Sequence, residues 1–323
     1  MKKLFFLGCA LLLLLTACAQ KKESTKEEGQ SADNGQEIVI EHALGTSTFK
    51  EAPKRVVALE WNLVEELLAL DVQPVGVADI EGFNKWVKIR KSLDLNAVDV
   101  GTRQEPNLEE IAKLKPDVIL SLVNHENIKA ELEKIAPTVF FNTTTEEATK
   151  DLYADTINSF ERTAKLLNKE KEAETTIQQL EQKYSEAKKE IEQLNLPTKE
   201  FLFTQAYTMN QAPIFRLFTK NSMVSHVLEQ VGLENVIKDQ TEAEWGFFEA
   251  NVEGVSNYQN AIFLHVVQKD DPLFDNMKNN KAWNELSFVK NNQLYDIGGD
   301  TWTFGGVLSA ETLVDNLLQA LKK

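Results

Sequence analysis

The chain is 323 residues long, with 50 acidic side chains against 35 basic ones and a formal net charge of -15 at pH 7. A field of that sign repels nucleic-acid phosphates and anionic lipid surfaces, so neither is expected as a partner. Both cysteines, Cys9 and Cys18, lie at the N-terminus; the rest must fold on an apolar core without disulfides, and is long enough to do so as two lobes.

Residues 1–17 read as a signal peptide. Lys2 and Lys3 give a basic start. The apolar run 4–15 is too short to span a bilayer comfortably and suits the centre of a secretory signal. It ends in Leu15-Thr16-Ala17-Cys18, similar to a bacterial lipobox, in which the Cys is diacylated and becomes the first mature residue. An ordinary signal with an incidental Cys is the competing reading, disfavoured by the two small residues before Cys18. Residues 18–36 hold no large apolar side chain and cannot offset their ordering entropy, so a disordered tether is expected. The folded part then works outside the cytoplasmic membrane, held there by lipid.

From residue 37 the pattern alternates. Arg55-Val56-Val57-Ala58-Leu59 reads as a strand, 62–70 as a helix, Pro74-Val75-Gly76-Val77-Ala78 as a strand, 108–114 as a helix and Asp117-Val118-Ile119-Leu120-Ser121 as a strand. Such alternation implies a mainly parallel sheet covered by helices. Residues 147–194 lack Gly and Pro. They read as one long helix to about residue 167 and a second over 171–194, after which Glu200-Phe201-Leu202-Phe203-Thr204 resumes the strand pattern. The expected fold is α/β and bilobal: an N-terminal lobe at 37–147, an interlobe helix at 148–170 and a C-terminal lobe at 171–323.

The two halves echo each other without gaps. Asn107-Leu108-Glu109-Glu110-Ile111 leads to Asp117-Val118-Ile119-Leu120, and Asn251-Val252-Glu253-Gly254-Val255 leads to Ala261-Ile262-Phe263-Leu264. In each, Asn can cap a helix whose first-turn Glu suits the helix dipole, and a strand follows. This suggests pseudo-symmetric lobes.

Catalytic and metal signatures are missing from the sequence. The four His are far apart, and no Gly-x-Ser-x-Gly, phosphate-binding loop or His-Glu-x-x-His occurs. Carboxylates are plentiful, but on so acidic a chain they read as solvated surface. An enzyme is therefore not expected, nor is a cofactor or directly bound metal.

The aromatic residues are more informative. Trp61 follows the first strand directly, Trp302 and Phe304 precede Gly305-Gly306 before the last helix, and Trp245-Gly246 sits in a loop. Ligands of parallel sheets lie beyond the carboxyl ends of strands, so these side chains are expected in a cleft rather than under their own loops. Trp283 is expected to pack internally. Arg103, one of five Arg, follows a strand-like run; it could point into the same cleft or pair with a surface Glu.

Val57-Ala58-Leu59-Glu60-Trp61, Val64 to Leu70, Val75-Gly76-Val77-Ala78-Asp79, Val100-Gly101-Thr102-Arg103-Gln104-Glu105-Pro106-Asn107-Leu108-Glu109, Leu114-Lys115-Pro116-Asp117 and Trp302-Thr303-Phe304-Gly305-Gly306-Val307-Leu308-Ser309-Ala310 together resemble the iron-siderophore-binding proteins of ABC importers over about residues 40–320. The hydroxamate-binding branch is the most similar. The dicitrate-binding branch is close behind, and Glu41-His42-Ala43-Leu44-Gly45-Thr46 resembles it. The resemblance implies two α/β lobes joined by one long helix, a shallow cleft with little closure, and a monomer that delivers ferric siderophore to permease subunits. It implies that Arg103 contacts hydroxamate oxygens, with Trp61, Trp86, Trp245, Trp302 and Phe304 as cleft walls; among the cations of the candidate loops, Arg216 is the other candidate contact. Where the family pattern has a Tyr, this chain has Asn124 and His125; His125 would replace the Tyr as a donor, or the contact is absent. Glu109 and Glu253 match the one Glu per lobe with which the family docks onto Arg pockets of the permease.

A ferric trihydroxamate already satisfies its iron with siderophore oxygens, so the protein needs aromatic walls and a few donors, not metal ligands. A catecholate complex would favour more cations. The expected function is ferric-hydroxamate capture, with ferric citrate as the alternative cargo. A surface adhesin or scaffold, and a hydrolase without recognisable signature, are the more distant alternatives.

Overall fold

The computed structural model describes residues 37–238 and 243–322. The expectations for the signal peptide, Cys18 and the tether lie outside the described residues. Among the described residues, no helix is long and apolar enough to cross a membrane.

The chain enters through an antiparallel hairpin, β1 (Ile38–His42) and β2 (Gly45–Phe49). The first lobe is then a five-stranded, wholly parallel sheet in the order β5-β4-β3-β6-β7. Its strands are β3 (Val56–Ala58), β4 (Gly76–Val77), β5 (Val98–Asp99), β6 (Val118–Leu122) and β7 (Thr138–Phe141). They alternate with α1 (Trp61–Ala69), α2 (Ile80–Trp86), α3 (Leu108–Lys113) and α4 (Lys129–Ile135).

One long helix, α5 (Leu152–Leu166), joins this lobe to the second. Asp151 caps it by accepting from the Ala154 amide at 2.9 Å. Its far end closes with Asn168 in the left-handed region (φ 53°), and the amide of Lys169 returns to the carbonyl of Ala164 at 2.8 Å. Asn tolerates that conformation, which is how the chain reverses into α6 (Glu170–Gln193) without Gly or Pro.

The second lobe holds a mixed sheet in the order β11-β9-β8-β12-β13, with β10 paired to β8. Its strands are β8 (Glu200–Met209), β9 (Ala212–Phe218), β10 (Glu234–Asn235), β11 (Phe247–Ala250), β12 (Ile262–Val266) and β13 (Leu294–Asp296). Around them lie α7 (Met223–Gln230), α8 (Val252–Ser256), three short helices α9–α11 between Leu273 and Lys290, and α12 (Val307–Leu321). The departure from a parallel sheet is the hairpin β8–β9, which turns at Asn210 and Gln211, both at positive φ. β8 therefore extends well beyond the expected 200–204.

The matched halves are visible as α3–β6 and α8–β12. Asn107 accepts from the amides of Glu109 and Glu110, and Asn251 from the amide of Gly254. Each following strand lies inside its sheet.

The apolar core is shared. On β3, Val56 and Ala58 face one cluster and Val57 another; on β8, Phe201 and Phe203 face the first cluster and Leu202 a third. This is period-two alternation of strands covered on both faces. The first cluster contains α1, α5, α6 and α12 side chains together with residues of both sheets, so one continuous apolar layer runs through the two lobes.

Candidate functional site

The carboxyl end of β3 turns straight into α1. Glu60 occupies the N-cap with extended backbone, yet its side chain makes no cap hydrogen bond. It accepts instead from Arg103, whose Nε and Nη2 both lie 2.7 Å from Oε2, while Asn124 Nδ2 donates to Oε1 at 3.2 Å. Glu60 is 4% exposed. The Arg103 guanidinium lies over the Trp61 ring at 4.3 Å, a cation–π contact worth about 0.5–2 kcal/mol. Trp61 Nε1 donates to the Asp79 carbonyl at 3.1 Å and fixes the ring.

The Arg103 turn is tightly held. Gly101 has φ 95°, and a Cβ there would lie 2.9 Å from the Asn107 amide nitrogen, so only Gly fits. Buried His125 donates from Nε2 to the Arg103 carbonyl at 2.7 Å, and its Nδ1 lies 2.8 Å from Ser121 Oγ. Of the two readings left open for His125, this arrangement favours the one in which it makes no ligand contact. Both of its ring nitrogens are used inside the protein, so it positions the Arg103 backbone. Exposed Asn124 contacts Glu60 and is not among the residues lining the cleft.

From the other side the segment before α12 brings Trp302 and Phe304. Trp302 meets Trp61 edge-on at 5.2 Å and Phe304 at 5.4 Å; Phe304 meets Phe218, the last residue of β9, at 5.8 Å. Aromatic pairs of this geometry add roughly 0.5–1.5 kcal/mol each beyond area burial. They form a wall reaching from one lobe to the other. Leu152, Asp155 and Thr156 of α5 share one helix face against the same space, and Trp245, 48% exposed, stands at its mouth. The space holds about 750 Å³, part of it open to solvent. Burial pushes the Asp155 carboxyl up, with Arg162 opposing the shift. Trp302 Nε1 and Thr303 Oγ1, both on lining residues, are buried without a hydrogen-bond partner.

Trp61, Arg103, Trp245, Trp302 and Phe304 thus converge on one cleft. Trp86 and Arg216 do not; they line a neighbouring, more open space with Gln205. Arg216 lies between the rings of Tyr207 (5.2 Å) and Phe247 (4.8 Å), 3.4 Å from Glu249. Phe247 also touches Phe304 at 5.7 Å, so the two spaces share an aromatic partition. Lys85 and Asp270 approach to 3.5 Å across the second space, from α2 and the loop after β12. Glu109 and Glu253 are exposed at the starts of α3 and α8, away from both spaces; Glu109 pairs with Lys113 at 3.2 Å. Trp283 packs internally against Phe215, Phe263 and Phe288.

Three buried carboxylates, Glu60, Glu65 and Glu66, depart from the expectation of solvated acids. Glu65 accepts from the Gly306 amide (2.9 Å), the Ser309 amide (2.7 Å) and Ser309 Oγ (2.6 Å), capping α12 from α1. A Cβ on Gly305 would lie 2.5 Å from the Glu65 carboxylate, which explains that glycine. Glu66 accepts from Ser159 Oγ (2.6 Å) and Thr163 Oγ1 (2.5 Å) of α5. Burial raises the pKa of both acids, that of Glu66 to about 7. The signal was present in the sequence: two adjacent acids inside the apolar run of α1.

Among the described residues no group of three or more His, Cys, Asp or Glu is arranged to hold a metal ion.

Comparison with known proteins gives a consistent picture. A family model described as "Periplasmic binding protein" matches residues 56–301. The Fe(3+)-citrate-binding protein YfmC of Bacillus subtilis is 33% identical, covering 98% of this chain and 96% of its own. The Iron(3+)-hydroxamate-binding protein FhuD of Escherichia coli is 29% identical, covering 83% of this chain and 87% of its own. The crystal structure of the Fe3+-Desferal-bound siderophore binding protein FhuD from Vibrio cholerae superposes with a TM-score of 0.73 at 28% identity, covering 83% of this chain and 97% of that one.

Proposed function

The chain belongs to the periplasmic binding protein family, whose members bind rather than transform their cargo, and on that premise we propose that it captures a ferric siderophore of hydroxamate type and passes it to an ABC permease. The observation that carries this reading is the cleft itself: an aromatic wall of Trp61, Trp302 and Phe304 beside a guanidinium already neutralised by Glu60. Such a surface suits a bulky, weakly charged complex whose iron is already fully coordinated. Glu109 and Glu253, exposed at equivalent helix starts, are the proposed docking carboxylates, and the anchor is a lipid on Cys18.

Ferric citrate is the second reading, favoured by the citrate-binding relative at 33% identity and by the cations Arg216 and Lys85 in the neighbouring space. A ligand panel separates the two. Ferric trihydroxamates quench the intrinsic tryptophan fluorescence with at most micromolar dissociation constants, on the order of 8 kcal/mol or better. Tight binding of ferric citrate with no response to any hydroxamate makes citrate the cargo. Absence of both responses refutes the receptor reading.

A further inference from the structure

Arg103 is the sole cationic side chain among the described residues lining the aromatic cleft, and it does not face it with a free charge. Two of its nitrogens converge on one oxygen of Glu60, and the guanidinium plane is backed by Trp61. Only the remaining N–H groups are left for a ligand. Asn124 holds the other oxygen of Glu60 from outside the cleft, and His125 holds the Arg103 backbone. Asp155 adds a second carboxylate to the lining. The cleft therefore contains a cation of fixed orientation whose field is cancelled at short range.

We propose that Glu60 is the positioning and charge-selecting residue of this cleft: it aims Arg103 at the cargo while withholding the net positive charge that would draw polyanionic ferric complexes. The inference rests on the reading of the cleft as a ferric-siderophore site. A buried unit charge beside a ligand acts through a medium of low effective dielectric, so its removal discriminates strongly between ligands of different charge. A residue that merely supported the fold would, when replaced, weaken all ligands alike.

The test uses the full chain and three probes of defined charge: ferrichrome, a neutral ferric trihydroxamate; ferrioxamine B, which carries a single positive charge; and ferric citrate, a polyanion. Dissociation constants are read by tryptophan quenching for the wild-type protein, Glu60→Gln and Glu60→Asp. In Glu60→Gln the affinity for ferric citrate relative to ferrioxamine B rises roughly tenfold or more, with ferrichrome between them. Glu60→Asp, which keeps the charge, leaves that ratio near the wild-type value. Should Glu60→Gln fail to fold, Asn124→Lys serves in its place. It alters an exposed residue, sets a cation against Glu60, and moves the ratio in the same direction as Glu60→Gln. A ratio that stays within twofold of the wild-type value in Glu60→Gln, or in the variant that replaces it, overturns the proposal, whichever complex the wild-type protein prefers. Failure of the wild-type protein to bind any ferric complex overturns the functional reading instead, and this inference falls with it.

Discussion

Replacing Glu66 with Gln gives a signature in stability against pH. The carboxyl is fully enclosed and its pKa rises from 4.5 to about 7, chiefly because burial disfavours the charge; the Ser159 and Thr163 hydroxyls partly oppose the shift. A folded-state pKa above the unfolded value means the native protein holds the proton more tightly. Stability from this group is fully present below about pH 4.5 and is lost as pH rises through about 7. Between about pH 5 and pH 8 the wild-type protein loses about 2–3 kcal/mol from Glu66 alone. Gln cannot ionise, so the variant lacks that loss. Glu65 and Asp155, also raised by burial, are present in both proteins and largely cancel in the comparison. Urea unfolding followed by circular dichroism at the two pH values measures the difference. The variant should gain about 2–3 kcal/mol on the wild-type protein between the lower and the higher pH. Parallel pH profiles for the two proteins would refute the buried-acid argument.

Other perturbations separate binding, anchoring and docking. Arg103→Ala weakens ferric-hydroxamate binding by roughly 1.5–3 kcal/mol, as titrated by fluorescence. It also leaves Glu60 buried without its cation, so the thermal midpoint falls; Arg103→Ala with Glu60→Gln recovers the midpoint but not the affinity. Cys18→Ala releases the protein from the membrane fraction or leaves it unprocessed; a variant still lipid-labelled and membrane-bound would dismiss the lipobox. Glu109→Ala with Glu253→Ala binds ferric siderophore normally yet fails to support uptake in cells, because rim charges govern association rather than the cargo site. Wild-type uptake at equal abundance would eliminate this pair.

Much of the alternation of strands and helices in the first lobe was legible because the apolar runs are short, and α3 also announces its start with the Asn107 cap. Junction aromatics were legible for a related reason: Trp61, Trp302 and Phe304 sit where a strand or loop feeds a helix, and those places face the cleft. The β8–β9 hairpin was not, since Asn210-Gln211 is a weak turn signal and both residues take positive φ only because the paired strands hold them there. The fate of Arg103 was open between cleft and ion pair, and the structure combines them: it lines the cleft while bound to Glu60, a buried acid and not a surface one. His125 was left open between a ligand contact and none, because its partner on Arg103, 22 residues away, is brought to it only by the fold. Trp86 was assigned to the cleft by resemblance and Arg216 as a candidate loop cation; their place in a second space depends on where α2 and β9 are carried by tertiary packing.

The shared core constrains how cargo is held. α12 packs against α1, α6 and α7, and its first turn is capped by Glu65 from α1, so the two lobes are joined by more than the α5 connector. Swinging them apart or together would strip Glu65 of its donors and leave a buried carboxylate facing orphaned amides, a cost of several kcal/mol. Lys88 with Asp300 and Arg90 with Glu311 add further ties between the segment after α2 and the C-terminal segment. A micromolar ligand supplies about 8 kcal/mol in total, so closure by hinge motion would consume most of what binding releases. On the proposed reading, recognition therefore relies on walls that already stand in place, with adjustment at the mouth by side chains such as half-exposed Trp245. The buried acids of α1 are the chemical reason: by capping one helix and gripping another, they hold the aromatic faces of both lobes at a fixed separation.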